Sequence, residues 1–184
     1  MIRLLTFSLA LLGLALSTAC QSLPSDPPPT VEAVELDQYI GRWYEIARLP
    51  VFFQEEDERA MADYSLQKDG TVALVNTAIE PNGSTHSVTG SAVPVEGSQN
   101  AKLKVTIDNF FAKLFGSPPD YGNYWIFALE SDYSIAMVGS PDRKTLWLLS
   151  RQPQIPAEQL DQYINRATNL GFDTSKLIYN NRPL

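Results

Sequence analysis

The chain is 184 residues long, carries a formal net charge of −7 and holds one cysteine and one histidine. A single cysteine excludes an intramolecular disulfide, and without clustered His and Cys no metal site and no cofactor is expected. Acidity without a basic cluster argues against nucleic acid as the partner, because phosphate contacts need grouped Lys and Arg.

The N-terminus is read first, since a segment removed in processing contributes nothing to the fold. Arg3, the uncharged run 4–16 and the small residues Ser17, Thr18 and Ala19 have the pattern of an export signal over 1–19, too short to span a bilayer comfortably. Cys20 follows directly. The stretch Leu16-Ser17-Thr18-Ala19-Cys20 resembles the lipobox of bacterial lipoproteins, with Ser17 where that motif usually has Leu. The resemblance implies lipidation at Cys20, and Gln21 after it implies an outer-membrane address. The alternative is an ordinary signal peptide with a spare thiol. Residues 21–35 are rich in Pro, Ser and acidic side chains and lack apolar periodicity, so 20–35 reads as a lipidated N-terminus and extended tether, leaving 36–184 as one folded domain.

From there the sequence breaks into short aromatic and β-branched segments separated by turn signals. Asp69-Gly70, Pro81-Asn82-Gly83, Glu96-Gly97-Ser98-Gln99-Asn100, Glu130-Ser131-Asp132 and Ser140-Pro141-Asp142-Arg143 mark the turns. The predicted strands are 42–49, 62–67, 71–76, 85–93, 101–107, 124–129, 133–138 and 144–151, an all-β antiparallel set of eight. Leu103, Val105 and Ile107 alternate with Lys102, Lys104 and Thr106, so one face there is wet. Leu146-Trp147-Leu148-Leu149 is apolar on both faces, and something must cover its outside. The cover is the predicted helix 156–170, with Pro156 at its first turn, Gly171 past its end, and a stripe of Leu160, Tyr163, Ile164 and Ala167.

Three separated motifs then point to a family: Gly41-Arg42-Trp43-Tyr44-Glu45-Ile46-Ala47-Arg48 after Leu36-Asp37-Gln38-Tyr39; Asp132-Tyr133 leading through 135–143; and Leu146-Trp147-Leu148-Leu149-Ser150-Arg151. In this order they resemble the lipocalin family, and within it the bacterial outer-membrane lipoprotein lipocalins of the apolipoprotein D-like subfamily. The likeness covers about 36–179. It implies an eight-stranded up-and-down barrel with one C-terminal helix packed outside, whose structural signature here is Gly41, Trp43, Asp132, Tyr133 and Arg151. Arg151 is expected to stack on Trp43 and seal the base.

An eight-stranded barrel holds either side chains or one small ligand. The aromatics Phe52, Phe53, Tyr64, Trp125, Phe127, Tyr133 and Trp147 are the expected ligand-binding residues, with ordinary core as the alternative for each. The resemblance implies a fatty acid or lysophospholipid as partner, storage or transport of lipid in support of the envelope, a lipid-anchored, periplasm-facing position in the outer membrane, and a homodimer as an allowed assembly. No catalytic residues are expected. The rival readings are a lipocalin-fold enzyme acting on a hydrophobic substrate, for which Glu45, Asp63 and Asp132 are the available acids, and a ligand-free structural envelope lipoprotein. The apolar insertion 108–119, with Phe110, Phe111, Leu114 and Phe115, is expected either to plug the cavity or to face a membrane or partner.

Overall fold

A computed structural model describes residues 22–108 and 117–180. Cys20, the leader and most of the insertion 108–119 lie outside these residues. β1 (Gly41–Arg48), β2 (Arg59–Leu66), β3 (Val72–Ile79), β4 (Thr85–Pro94), β5 (Lys102–Ile107), β6 (Tyr124–Leu129), β7 (Ile135–Gly139) and β8 (Leu146–Ser150) pair antiparallel in sequence order. β1 closes the barrel by pairing with β2 from Gly41↔Tyr64 to Tyr44↔Met61 and with β8 from Tyr44↔Ser150 to Arg48↔Trp147. The expected eight-stranded barrel is present. A ninth strand, β9 (Ile178–Tyr179), adds to β1 at Ala47 and Arg48, where the β1–β2 ladder has already ended. The sequence reading lacked it, because two residues have no periodicity to detect.

The helix predicted over 156–170 is α2 (Ala157–Asn169). Tyr163 and Ala167 are buried, and with Leu160 and Phe172 they pack on Ile46, Trp125, Phe127, Leu146 and Leu148 of the outer wall. Thus Leu146-Trp147-Leu148-Leu149 is apolar on both sides because α2 covers one of them. The Tyr163 hydroxyl donates to Glu130 (2.8 Å) and Arg166 donates to the Phe127 carbonyl (3.1 Å), which fixes the helix along β6.

The base is closed by α1 (Leu36–Tyr39), a single turn whose last carbonyls have no helical partner. Arg151 supplies the donors. Its Nη2 reaches the carbonyls of Gln38 (2.8 Å), Tyr39 (3.0 Å) and Ile40 (2.9 Å), its Nη1 that of Arg42 (2.8 Å) and its Nε that of Tyr133 (3.3 Å). The guanidinium also lies 3.8 Å from the ring centre of Trp43, a fully buried indole whose N–H donates to the Tyr39 carbonyl (2.8 Å). Gly41 has φ +96°, and a Cβ there would stand 3.4 Å from Arg151 Nη1, so the chain turns into β1 only with glycine.

The tether is not free. Residues 22–35 form no helix or strand, yet they lie against the barrel. Val31 N–H donates to the Ile126 carbonyl (2.9 Å), Val34 N–H to Gln99 (2.9 Å), and Asn100 to the Val34 carbonyl (2.9 Å). Arg143 donates to the Asp26 carbonyl (2.8 Å) and Tyr121 to that of Ser22 (3.4 Å). Pro28 and Val34 are fully buried.

Removing the fork should open the base. Arg151→Ala forfeits a stack worth about 0.5–2 kcal/mol and strands carbonyls at about 1–3 kcal/mol for each that water fails to reach. The expected loss is about 2–4 kcal/mol in urea unfolding. Arg151→Lys, which lacks the planar fork, should recover little of it. An unchanged midpoint for either variant contradicts the seal.

Candidate functional site

Inside the barrel a cavity of about 630 Å³ opens away from the sealed base. Its walls are Val72, Leu74, Ala92, Leu103, Val105, Val138, Trp147 and Leu149; its mouth is formed by Phe52, Phe53, Pro118, Pro119, Ser140 and Thr145. That volume falls within the ~300–1,000 Å³ of small-molecule sites, and an apolar wall with few polar groups is the usual form of such a site.

Of the aromatics expected at a ligand, Phe52, Phe53, Tyr64 and Trp147 line the cavity. Trp125, Phe127 and Tyr133 do not. On β6 the alternation runs the other way: Tyr124 points in, while Trp125 and Phe127 pack outward beneath α2 with Tyr163 and Phe172. Lys102 lies 3.9 Å over the Trp125 ring and its indole N–H donates to the Tyr121 carbonyl (2.8 Å), so that residue serves the outer wall. Tyr133 is not on a strand. The Asp132 carboxylate accepts from Ser134 N–H (3.0 Å), which turns the chain with Tyr133 at φ +59°, and the Tyr133 hydroxyl accepts from Glu35 N–H (2.9 Å) at the base.

Two groupings escape the sequence reading, although Tyr64 and Glu45 are each among its candidates. At the floor the hydroxyls of Tyr39 and Tyr124 meet at 2.8 Å, and those of Tyr64 and Tyr124 at 3.4 Å. Burial pushes all three phenols above their usual range, so they stay neutral hydrogen-bonding groups. The second group is charged. A bulge between Glu45 and Ala47 puts Glu45 and Arg48 on the same inner face, with Glu45 Oε1 3.3 Å from Arg48 Nε. Arg48 is 0% exposed, and its Nε and Nη1 find no hydrogen-bond partner among the described residues. Its Nη2 donates to the Glu55 carbonyl, and Gln54 stands 3.3 Å from both Glu45 oxygens, so the pair holds the 49–58 loop over the mouth. Burial pushes the Glu45 carboxyl up to about 7, with Arg48 opposing the rise.

The other candidate acids are elsewhere. Asp63 lies on the outer surface in a two-pronged pair with Arg42 (2.9 Å each), opposite it in the β1–β2 register, and Asp132 is exposed. At the rim His86 Nδ1 stands 4.0 Å from an oxygen of Glu58 and of Glu80.

The lipocalin-like domain family matches residues 34–182. Outer membrane lipoprotein Blc of Vibrio cholerae is 37% identical over 166 residues, covering 89% of this chain and 91% of the relative. The protein of the same name from Escherichia coli K12 is 37% identical over 185 residues, covering 98% of each. Among solved structures, insecticyanin of the tobacco hornworm Manduca sexta superposes with a TM-score of 0.63 at 20% identity, over 88% of this chain and 87% of the other, which shows the shared barrel. With its sealed base, open apolar hollow and likeness along nearly its full length to proteins named outer membrane lipoproteins, the chain belongs to the lipocalin-like family.

Proposed function

We propose that the cavity holds the acyl chain of one fatty acid or lysophospholipid, head group toward the mouth, and that the protein stores or carries such lipids for the envelope, tethered through Cys20 and facing the periplasm. The observation behind this is the hollow itself: about 630 Å³ of mostly apolar space with a polar floor and, among the described residues, no Lys or Arg in its lining. A sixteen-carbon chain offers on the order of 11 kcal/mol gross, at roughly 0.8 per CH₂. Association costs take back several, leaving a dissociation constant near micromolar. An open hollow disfavours the filled, purely structural barrel.

Binding also fits the chemistry better than catalysis. Among the described residues Glu45 is the only carboxylate in the lining, and it is engaged with Arg48 and Gln54 rather than with a nucleophile. A buried acid with a raised pKa is often functional, but here the same contacts hold the mouth loop.

Three measurements test the reading. Oleate or a lysophospholipid should displace a fluorescent fatty acid at micromolar concentration. Val105→Trp, which fills the hollow from the wall, should weaken that binding at least about tenfold, a loss of about 1.4 kcal/mol. No displacement at tens of micromolar rejects the ligand class. Metabolic labelling with a palmitate analogue should reach the wild type and vanish in Cys20→Ala; labelling that survives rejects Cys20 as the anchor.

For Glu45 the sign follows from its raised pKa. Between its ordinary value near 4.5 and about 7 the unfolded chain releases a proton that the folded protein keeps, so stability falls as pH rises through that window and then levels. Glu45→Gln should lack this slope while retaining the rest of the profile. Parallel pH profiles for the two proteins refute an uncharged Glu45 at acid pH.

A further inference from the structure

The docked segment fixes more than the N-terminus. Arg143, which holds Asp26, belongs to the β7–β8 turn whose Ser140 and Thr145 line the mouth, and Ser22 is held beyond it by Tyr121. Cys20 stands six positions before Asp26, so its Cα is within roughly 20 Å of Asp26, and within about 7 Å of Ser22, however the intervening chain runs. A free spacer from Glu35 would let the same anchor roam about 50 Å in any direction. The neighbouring β1–β2 loop presents the most exposed large apolar side chains among the described residues: Phe52 (82% exposed) and Phe53 (61%), edge to face at 5.2 Å, on the rim of the same opening.

From these two placements we infer that the open rim is the membrane-facing surface: the docked 22–35 segment turns the cavity mouth toward the bilayer, and Phe52 and Phe53 enter its head-group layer. The surface chemistry can be stated. Glu55, Glu56, Asp57 and Glu80 outnumber the cations Arg59 and Lys144 at the rim, so an anionic surface repels it on balance, whereas a zwitterionic one takes the two rings without that cost. Phenylalanine side chains gain by shallow burial at the boundary between head groups and acyl chains. A lipid then passes between bilayer and hollow without crossing water. The inference rests on the anchor at Cys20 and is independent of which lipid is carried.

The test uses the full lipidated chain in phosphatidylethanolamine and phosphatidylcholine vesicles, where acylation leaves an introduced cysteine as the sole thiol. Phe53→Cys and, at the sealed end in the β2–β3 hairpin, Lys68→Cys are labelled with an environment-sensitive dye and quenched by spin-labelled lipid. Quenching several-fold stronger at position 53, declining when phosphatidylglycerol is added, is the expected result. Equal quenching at the two positions, or stronger quenching at position 68, overturns the orientation while leaving the anchor and ligand readings intact. Protein that fails to float with the vesicles overturns the anchor and the orientation together.

Discussion

The barrel depends on one guanidinium. Arg151, the first residue after β8, stacks on the indole that opens β1 and donates to carbonyls from α1, β1 and the β6–β7 turn. Backbone acceptors at a chain crossing must find donors or water, and at the base of a barrel water would enter the hollow. One rigid five-donor fork meets that demand from a single position. Because the base is closed by this contact, the interior above it need not be packed solid, and space remains for another molecule. Trp43 is spent on the seal, leaving Trp147 as the wall indole.

Polarity inside the hollow gathers toward its two ends, with Asn76 the polar side chain between Leu74 and Ala78 on the β3 wall. Three phenols sit at the floor and the Glu45–Arg48–Gln54 group near the mouth, with a mostly apolar wall between them. An acyl chain matches that middle, since it asks nothing of hydrogen-bonding groups. The charged end has a mechanical role as well: by donating to the Glu55 carbonyl, Arg48 ties the mouth loop to β1. A buried ion pair adds little net stability, but removing one partner leaves the other uncompensated, so the two residues are bound to each other's presence.

Most of the architecture was legible because turn chemistry and three motifs report it directly. Asp69-Gly70 and the 140–143 turn set strand ends, and the outward apolar face of β8 announced a cover that proved to be α2. The cavity lining was less legible, for a physical reason. Where α2 covers the wall, β6 is apolar on both faces, so alternation gives no parity: Trp125 and Phe127 read equally as cavity or as core, and it is Tyr124 that holds the inward position. Glu45 and Arg48 share a face only through a bulge, which shifts the period of two by one residue. The docking of 22–35 runs through backbone bonds of a segment with no periodicity, and no side-chain pattern reports such contacts.

The ladder between β1 and β2 stops at Tyr44↔Met61; above it Ala60 and Arg59 pair with β3, and β1 takes the two-residue β9 instead. The cylinder therefore has a split seam on one flank of its opening. β9 pairs with β1 alone, so parting that flank breaks no backbone ladder; the β5–β6 ladder is also short, two pairs at Lys102 and Leu103, whereas β2–β3 and β3–β4 run unbroken over eight. A guest bulkier than a single hydrocarbon tail would find its give at these two seams, beside Glu45 and beside Asn123, while β2, β3 and β4 keep their shape.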